Sequence, residues 1–526
     1  MSEARPPAVP GPSRLLRAAS LAGAPAEVLD FLLPLWAAAV LHVGPAATGA
    51  LIAVEAAVSL LVRPVAGELT DRLDRRTVAA TGAAGYALSC AGYAVADLTA
   101  CPLPVAFAAS AVGGAAGALF WVAVRTWAGE QGPDRVGAYG ALLAAEGRGA
   151  LFGYVIAFVL LGNSGYRSVF WAGAAACAVA AALLATAPGP ARGAPAAPGG
   201  TGGTGSGRRR ARRTLPLLAV AGVTAGGEAG LWLILLVRLQ GQGLSPTEVM
   251  GVFCPGFLVY VMAPDHAHRV SGRLGRERTM VVAFVAGALF AAGLAVVPSP
   301  VGIAVLWALA AGCFAVQVPV EQATVFAAAG DRPGRGMGRY EAARLAGVTA
   351  GATALGGLYE AAGWVWACAA AAVASSAGAA LVPYALRALG LPAEERAPGP
   401  AVREGSAPEK PAVPGERGVA ESAVREQPTP AETAVPEERA PDRPVVPEEH
   451  APDRPVVPPD RDLRRSGEER ARRERRGWCV HTVLFAVGET ALWGFGAPEW
   501  VGKTWLTVYV VDTVWSWSYT FAPRGK

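Results

Sequence analysis

Twelve apolar runs, each close to the length that crosses a lipid bilayer, constrain this chain more than any other feature. They lie near 18–41, 46–66, 77–97, 102–124, 136–161, 166–186, 214–237, 248–263, 279–297, 301–328, 336–358 and 363–386. A hydrocarbon core of about 30 Å needs roughly 20 helical residues at ~1.5 Å each. Inside lipid every backbone N–H and C=O must find a partner within the protein, so spanning segments are helices or closed barrels. Runs of this length are helices. The eighth is the shortest and is interrupted by Pro255, with Pro264 just beyond it. Apolar residues make up 53% of the chain and charged residues only 17%, crowded between the runs and into one tail. The fold class is therefore all-α and integral to the membrane.

Charge placement orients the bundle. Alternate loops carry Arg72, Arg75, Arg76, Arg125, Arg135, Arg269, Arg273, Arg276, Arg278, Arg332, Arg335 and Arg339, whereas the other set carries only Arg167 and Arg238. Basic residues resist translocation, so the first set and the amino terminus are expected in the cytoplasm, in a cytoplasmic (inner) membrane. The net charge of +5 is accounted for by these loops and calls for no nucleic acid. The Ala, Gly and Arg bias, with only Lys410, Lys503 and Lys526 as lysines, reads as bacterial coding bias. Seven cysteines are scattered without close pairs, which implies neither a zinc site nor a disulfide framework. No nucleophile–base pair or phosphate loop stands out, so an enzyme is disfavoured and no metal or cofactor is expected. The first run is long and carries Glu27 and Asp30, unlike a cleavable signal peptide.

Between the second and third runs lies R-P-V-A-G-E-L-T-D-R-L-D-R-R-T-V, from Arg63 to Val78. It reads as a tight charged turn. Gly67 admits a close helix neighbour, and Asp71 suits the N-terminus of the following helix. Gly67, Asp71, Arg72, Arg75 and Arg76 resemble the signature loop between helices 2 and 3 of the major facilitator superfamily of secondary transporters, with Asp74 where that family usually has a second glycine. The pattern recurs. Arg72-Leu73-Asp74-Arg75 matches Arg273-Leu274-Gly275-Arg276, Gly137-Ala138-Tyr139 matches Gly338-Arg339-Tyr340, and Glu27 matches Glu228, each pair 201 positions apart. Three matches in one register argue for a duplicated unit, the two six-helix halves this family carries. In the second copy Gly272 replaces the aspartate. Gly67, Asp71, Arg72, Arg75, Arg76, Arg273 and Arg276 are accordingly the candidate residues of a cytoplasmic gate.

An ionisable group inside the bilayer costs roughly 2.5–3.5 kcal/mol on insertion scales and is a functional candidate by default. Glu27, Asp30, Glu55, Glu146, Arg148, Glu228 and Glu321 are the candidates for proton coupling or a substrate cavity, with Glu341 and Arg344 beside them. None falls in runs 3, 6, 9 or 12, which in the family form the lipid-facing support. Glu27 and Asp30 share a helix face, and paired carboxylates in low dielectric are suited to holding and releasing a proton. Glu146 and Arg148, two apart, point to different sides of their helix and are expected to reach different neighbours. Glu341 and Arg344, at i and i+3, are expected to pair locally and support the gate. Snorkelling accounts for Arg63. Trp36, Trp121, Trp232, Trp307 and Gln317 are further cavity candidates. The fourth run, ending at 124, has no interior arginine where many family members carry one, and the fifth, with Ala144-Ala145-Glu146-Gly147-Arg148-Gly149, lacks the proline of the antiporter signature.

The chain then divides into an N-terminal tail (1–13), a first half (14–186), a Gly/Ala/Pro linker ending in arginines (187–213), a second half (214–390), a Pro/Glu/Arg-rich tail (391–477) and a Trp-rich apolar segment (478–526). The tail repeats V-P-E-E-R-A-P-D-R-P-V from Val435 and V-P-E-E-H-A-P-D-R-P-V from Val446, a composition unable to bury a core and expected to be disordered. Such a tail reads as an inert tether, with docking to a partner as the alternative. The final segment splits at Ala497-Pro498-Glu499 and reads as a membrane hairpin, although its second run alternates like a strand and an interfacial segment is the alternative. The resemblance implies a proton-coupled secondary transporter whose partners are protons, the lipid bilayer and a small molecule. Weakly charged helices favour an exported amphipathic substrate. An importer or uniporter of the same fold, or a membrane scaffold or sensor acting through the tail, are the rivals.

Overall fold

The computed structural model describes residues 12–187, 204–244 and 246–390, with scattered positions between 475 and 517. Its first half consists of α1 (Pro12–Ala39), α2 (Pro45–Arg72), α3 (Arg75–Ala96) and α4 (Pro102–Gly129), followed by one long helical stretch, Arg135–Ala185. That stretch contains two spans, α5 (Arg135–Leu161) and α6 (Asn163–Ala185). It reverses at Gly165, whose φ of 77° and ψ of 179° a side chain would disfavour.

The second half repeats the plan. α7 (Thr204–Gly241) is followed by α8, built of Pro246–Met262, a 3-10 turn Ala263–His266 and Ala267–Leu274. Then come α9 (Arg276–Val296), α10 (Pro300–Ala329), α11 (Pro333–Ala362) and α12 (Trp364–Leu389). Pro45, Pro102, Pro300 and Pro333 open their helices, where a missing N–H breaks no helical bond. The break in α8 falls at Pro264, whereas Pro255, also expected to interrupt the run, lies inside the continuous helix Pro246–Met262.

Helix ends depart from the apolar runs. α2 continues through Arg72, so the turn to α3 is only Leu73 and Asp74. α4 continues through Gly129 and takes in Arg125. The arginines of residues 208–213, expected in a flexible linker, belong to the first turns of α7. Helices outrun their apolar stretch here because arginine is a good helix former. The expectation for 391–477 lies outside the described residues. In the Trp-rich end, Thr482 donates to Trp478 O and Thr513 to Tyr509 O, both four residues back, as helices require. The two runs meet: Trp478 Nε1 donates to Thr513 Oγ1 at 2.9 Å and Phe485 stacks on Tyr509 at 4.3 Å. The described residues of the two runs are helical, not strand, because side-chain partners on the neighbouring run outweigh β-propensity.

The core has a telling distribution. At the arginine-rich end one apolar cluster spans both halves, including Val122, Trp127 and Tyr139 of the first with Phe326, Met337 and Tyr340 of the second. Toward the opposite end each half has its own cluster: Trp36, Tyr93 and Phe170 in one, Leu235, Phe290 and Trp307 in the other. The halves are joined at one end and packed separately at the other. Cys90 and Cys177, far apart in sequence, meet in the first half's core as free thiols.

Candidate functional site

The seam between the halves is built first from missing side chains. A Cβ on Gly67 of α2 would stand 2.5 Å from Gly334 O of α11, and one on Gly338 would stand 2.5 Å from Arg63 O. Such contact is possible only between glycines or their like. It brings Asp71, on the last turn of α2, to the first turn of α11. Asp71 Oδ1 accepts from Gly334 N at 2.7 Å and Oδ2 from Arg335 N at 2.9 Å. Those N–H groups lack partners within their own helix, and Arg332, at the cap position, supplies no side-chain bond. Asp71 thus caps α11, not α3. The cap of α3 is Asp74, which accepts from Arg76 N at 3.1 Å. Glu68 adds ion pairs to Arg335 of α11 and, at 2.6 Å, to Arg72 of its own helix.

Two other signature residues brace the first half at the same end. Arg75 pairs with Glu130 at 3.1 Å, and Arg76 donates to Ala187 O at 3.1 Å. Partial burial pushes the Glu130 carboxyl above its ordinary value, against the pull of the Arg75 guanidinium. In the second copy Arg273 sits exposed on the last turn of α8 and Arg276 on the first of α9, with Gly275 at φ 80° between them. Neither occupies the seam position of Asp71.

One layer inward lies a charge cluster that joins four helices. Arg125 of α4 reaches Glu146 of α5 at 3.1 Å and Glu341 of α11 at 3.0 Å, while Arg63 of α2 reaches Glu341 at 3.6 Å and donates to its main-chain oxygen. Arg125 also lies over the Trp121 ring at 4.9 Å. Buried charges persist when paired with opposite charges, as here. Arg63 is therefore no snorkelling residue; its side chain is 14% exposed and committed across the seam. α4 does carry an interior arginine, Arg125, which the truncated apolar run had hidden.

A second cluster lies within the other half. α7 and α11 cross where Gly226 meets Gly347 and Gly351 backbone to backbone. That approach sets Arg344 3.8 Å from Glu228 and 3.9 Å from Glu321 of α10. Glu321 is fully buried, accepting from Thr224 at 2.7 Å, Gln317 at 2.7 Å and Tyr340 at 3.4 Å. It stands behind the helix wall and not in an open cavity. Glu341 and Arg344 do not pair with each other: each has a carboxylate or guanidinium partner on another helix at shorter reach than the i, i+3 neighbour.

Glu27 and Asp30 on α1 are exposed although they lie mid-helix. Arg125 on α4 and Glu228 on α7 lie near enough for their charges to act on Glu27. Glu55, half-buried, rests against Gly113 of α4 and feels Asp30. Glu27, Asp30, Glu55, Glu228 and Glu146 are thus linked by charge, each acting on at least one other of the group. Arg148 is elsewhere, pairing with Asp265 of α8 at 3.5 Å on the seam. Among the aromatic candidates, Trp232 is exposed one turn beyond Glu228. Trp36 and Trp307 are core residues, packed on Phe170 at 5.3 Å and Phe253 at 5.7 Å. Gln317 is fully buried beside Glu321. No group of residues arranged to hold a metal occurs among the described residues.

The model of the Major Facilitator Superfamily matches residues 15–310 and 217–520. Comparison with curated proteins gives no match. Among solved structures the chain is similar to the human organic anion transporter MFSD10, with 17% identity over 72% of this chain and 100% of that one, at a TM-score of 0.57. It is also similar to the transporter FucP in the outward conformation, with 15% identity over 71% and 98% and a TM-score of 0.60. The proton:xylose symporter XylE gives 13% identity over 71% and 94%, with a TM-score of 0.56.

Proposed function

The chain belongs to the major facilitator superfamily, and we propose that it is a proton-coupled secondary transporter exporting a small amphipathic molecule across the cytoplasmic membrane. The observation that carries this reading is the pair of exposed, unbridged carboxylates, Glu27 and Asp30, in a space between halves that are fused at one end only. Placing the arginine-rich end in the cytoplasm makes this the outward-facing state. The gate is then the α2–α11 seam with Asp71, Glu68 and Gly67, and alternating access requires that seam to part.

Asp30 has no repeat mate among the acids, because Leu231 stands at the matching position. It is the coupling candidate, whereas Glu27 and Glu228, matched across the repeat, serve cargo binding. The lining supports an amphipathic cargo: Phe31 and Trp232 are exposed beside the acids on α1 and α7.

Everted membrane vesicles holding a pre-formed pH gradient test the proposal. An amphipathic substrate added from a chemical panel should dissipate the gradient. Asp30→Asn should abolish that proton movement yet leave substrate exchange, which needs no net proton transfer. Substrate uptake without proton movement in the unaltered chain would make it a uniporter; full coupling in Asp30→Asn would move the mechanism to Glu27, Glu55 or Glu146.

A further inference from the structure

α11 belongs to two charge clusters at once. Glu341 holds Arg63 and Arg125 across the seam, and Arg344, three residues on, holds Glu228 and Glu321 within the second half. The two residues lie within one turn of a single rigid element.

Arg344 is incompletely committed. Its distances to Glu228 and Glu321 are 3.8 and 3.9 Å, both beyond hydrogen-bond length, and Nη1 is buried without a hydrogen-bond partner. The two carboxylates differ in access. Glu228 is 24% exposed toward the cavity, while Glu321 is 0% exposed and already held by Thr224, Gln317 and Tyr340. Around Arg344 stand Tyr340 on its own helix, Glu228 on α7, Tyr260 on α8 and Glu321 on α10. Around Glu228 stand Arg344, Glu321, Tyr260 and, across the cavity, Glu27. One cation is thus shared by an accessible and an occluded anion.

We infer that Arg344 is a positioning residue that ties the charge state of Glu228, and hence occupancy of the cavity, to the seam between the halves through α11. While Glu228 is charged, Arg344 is divided between two anions. When a proton or the positive group of a cargo neutralises Glu228, the remaining attraction draws Arg344 onto Glu321. Closing the gap to hydrogen-bond length shifts the α11 segment that bears Glu341, and the seam registers it. The warrant is a shared element that both sites bias, not mere proximity. The inference rests on reading the space between the halves as the cargo cavity.

The test needs no substrate. The amides of Gly334 and Arg335 donate to Asp71 across the seam, so their hydrogen exchange reports its opening. In the full chain in lipid nanodiscs, Glu228→Gln, which mimics the neutral acid, should change exchange at these amides by a factor within the usual allosteric range of about 5–150. In an Arg344→Gln background the same substitution should have no further effect, a cycle that isolates the coupling. Arg344→Lys, which keeps the charge without the fork, should restore part of it and serves alone if the glutamine variant does not assemble. An effect of Glu228→Gln that is absent, or undiminished in either Arg344 variant, overturns the inference. Failure to transport any substrate with this coupling intact would instead overturn the transporter reading.

Discussion

Removing the Asp71 carboxylate should release the seam by an amount that its geometry sets. The carboxylate accepts two N–H groups from the first turn of α11, at 2.7 and 2.9 Å, and it belongs to the other half of the molecule. Loss of a helix N-cap costs about 0.5–2 kcal/mol. Loss of a negative charge at the dipole's positive end costs a further ~0.3–1 kcal/mol. Because the cap is supplied across the seam, the whole amount favours parting of the halves over unfolding of either. About 1–3 kcal/mol corresponds to roughly 5- to 150-fold in the closed-to-open ratio. Met337 offers the readout: it is fully buried in the seam, 3.9 Å from the Tyr139 hydroxyl of the other half. In a chain with Met337→Cys and with exposed Cys101 replaced by serine, Asp71→Ala should accelerate reaction with a charged thiol reagent by that factor. Asp71→Asn, which keeps an acceptor oxygen but no charge, should fall between. An unchanged rate in Asp71→Ala would refute the cap as the lock.

Other outcomes follow from the same geometry. Gly338→Leu places its side chain where even a Cβ stands 2.5 Å from Arg63 O, so it should hold the halves apart and expose Met337→Cys without any change at Asp71. Leu73, 50% exposed at the α2–α3 turn, should when replaced by cysteine react with impermeant reagent only in everted vesicles; labelling in intact cells would invert the proposed topology. Truncation after residue 391 should leave α1–α12 folded and transporting, checked by detergent-stable yield and the pH-gradient assay. Normal yield with no transport would favour the scaffold reading.

The spans and the duplication were readable because lipid allows so few alternatives: a run of sufficient length must be a helix, and three matches at one offset need a common plan. The ends were less readable. Trimming a run at its first charge set Arg125 in a loop, although nothing before Gly129 breaks the helix and the side chain turns inward to Glu146 and Glu341. A helical projection of 102–129 would have found it. Neighbour rules within one helix misassigned Glu341 and Arg344, since their partners come from α2, α4, α7 and α10 and carry no local signal. The same holds for Asp71, whose acceptors' partners lie 263 and 264 residues away. Trp36 and Trp307, named as cavity candidates, are core residues because of aromatic neighbours distant in sequence.

The duplication also makes the seam lopsided, and that can be measured. α5 and α11 are repeat mates, and both begin at the seam. Asp134 caps α5 from within its own half, accepting from Gly137 N at 2.8 Å. α11 has no such residue and borrows Asp71, while the position matching Asp71 in the second copy is Gly272, which has no carboxylate to lend. On the α5–α8 side the halves therefore meet through Gly140 against Pro264 O and through the Arg148–Asp265 pair. With side chains 32% and 48% exposed and 3.5 Å between charges, that pair ranks with surface ion pairs, worth about 0.2–1 kcal/mol. Arg148→Gln should then raise Met337→Cys labelling by no more than roughly fivefold, and high salt should erase the difference. Asp71→Ala should exceed it and resist salt, because its bonds are partly buried. Equal effects from the two substitutions would mean that both sides of the seam are locked alike, and that losing the aspartate from the second copy did not make one side the weaker.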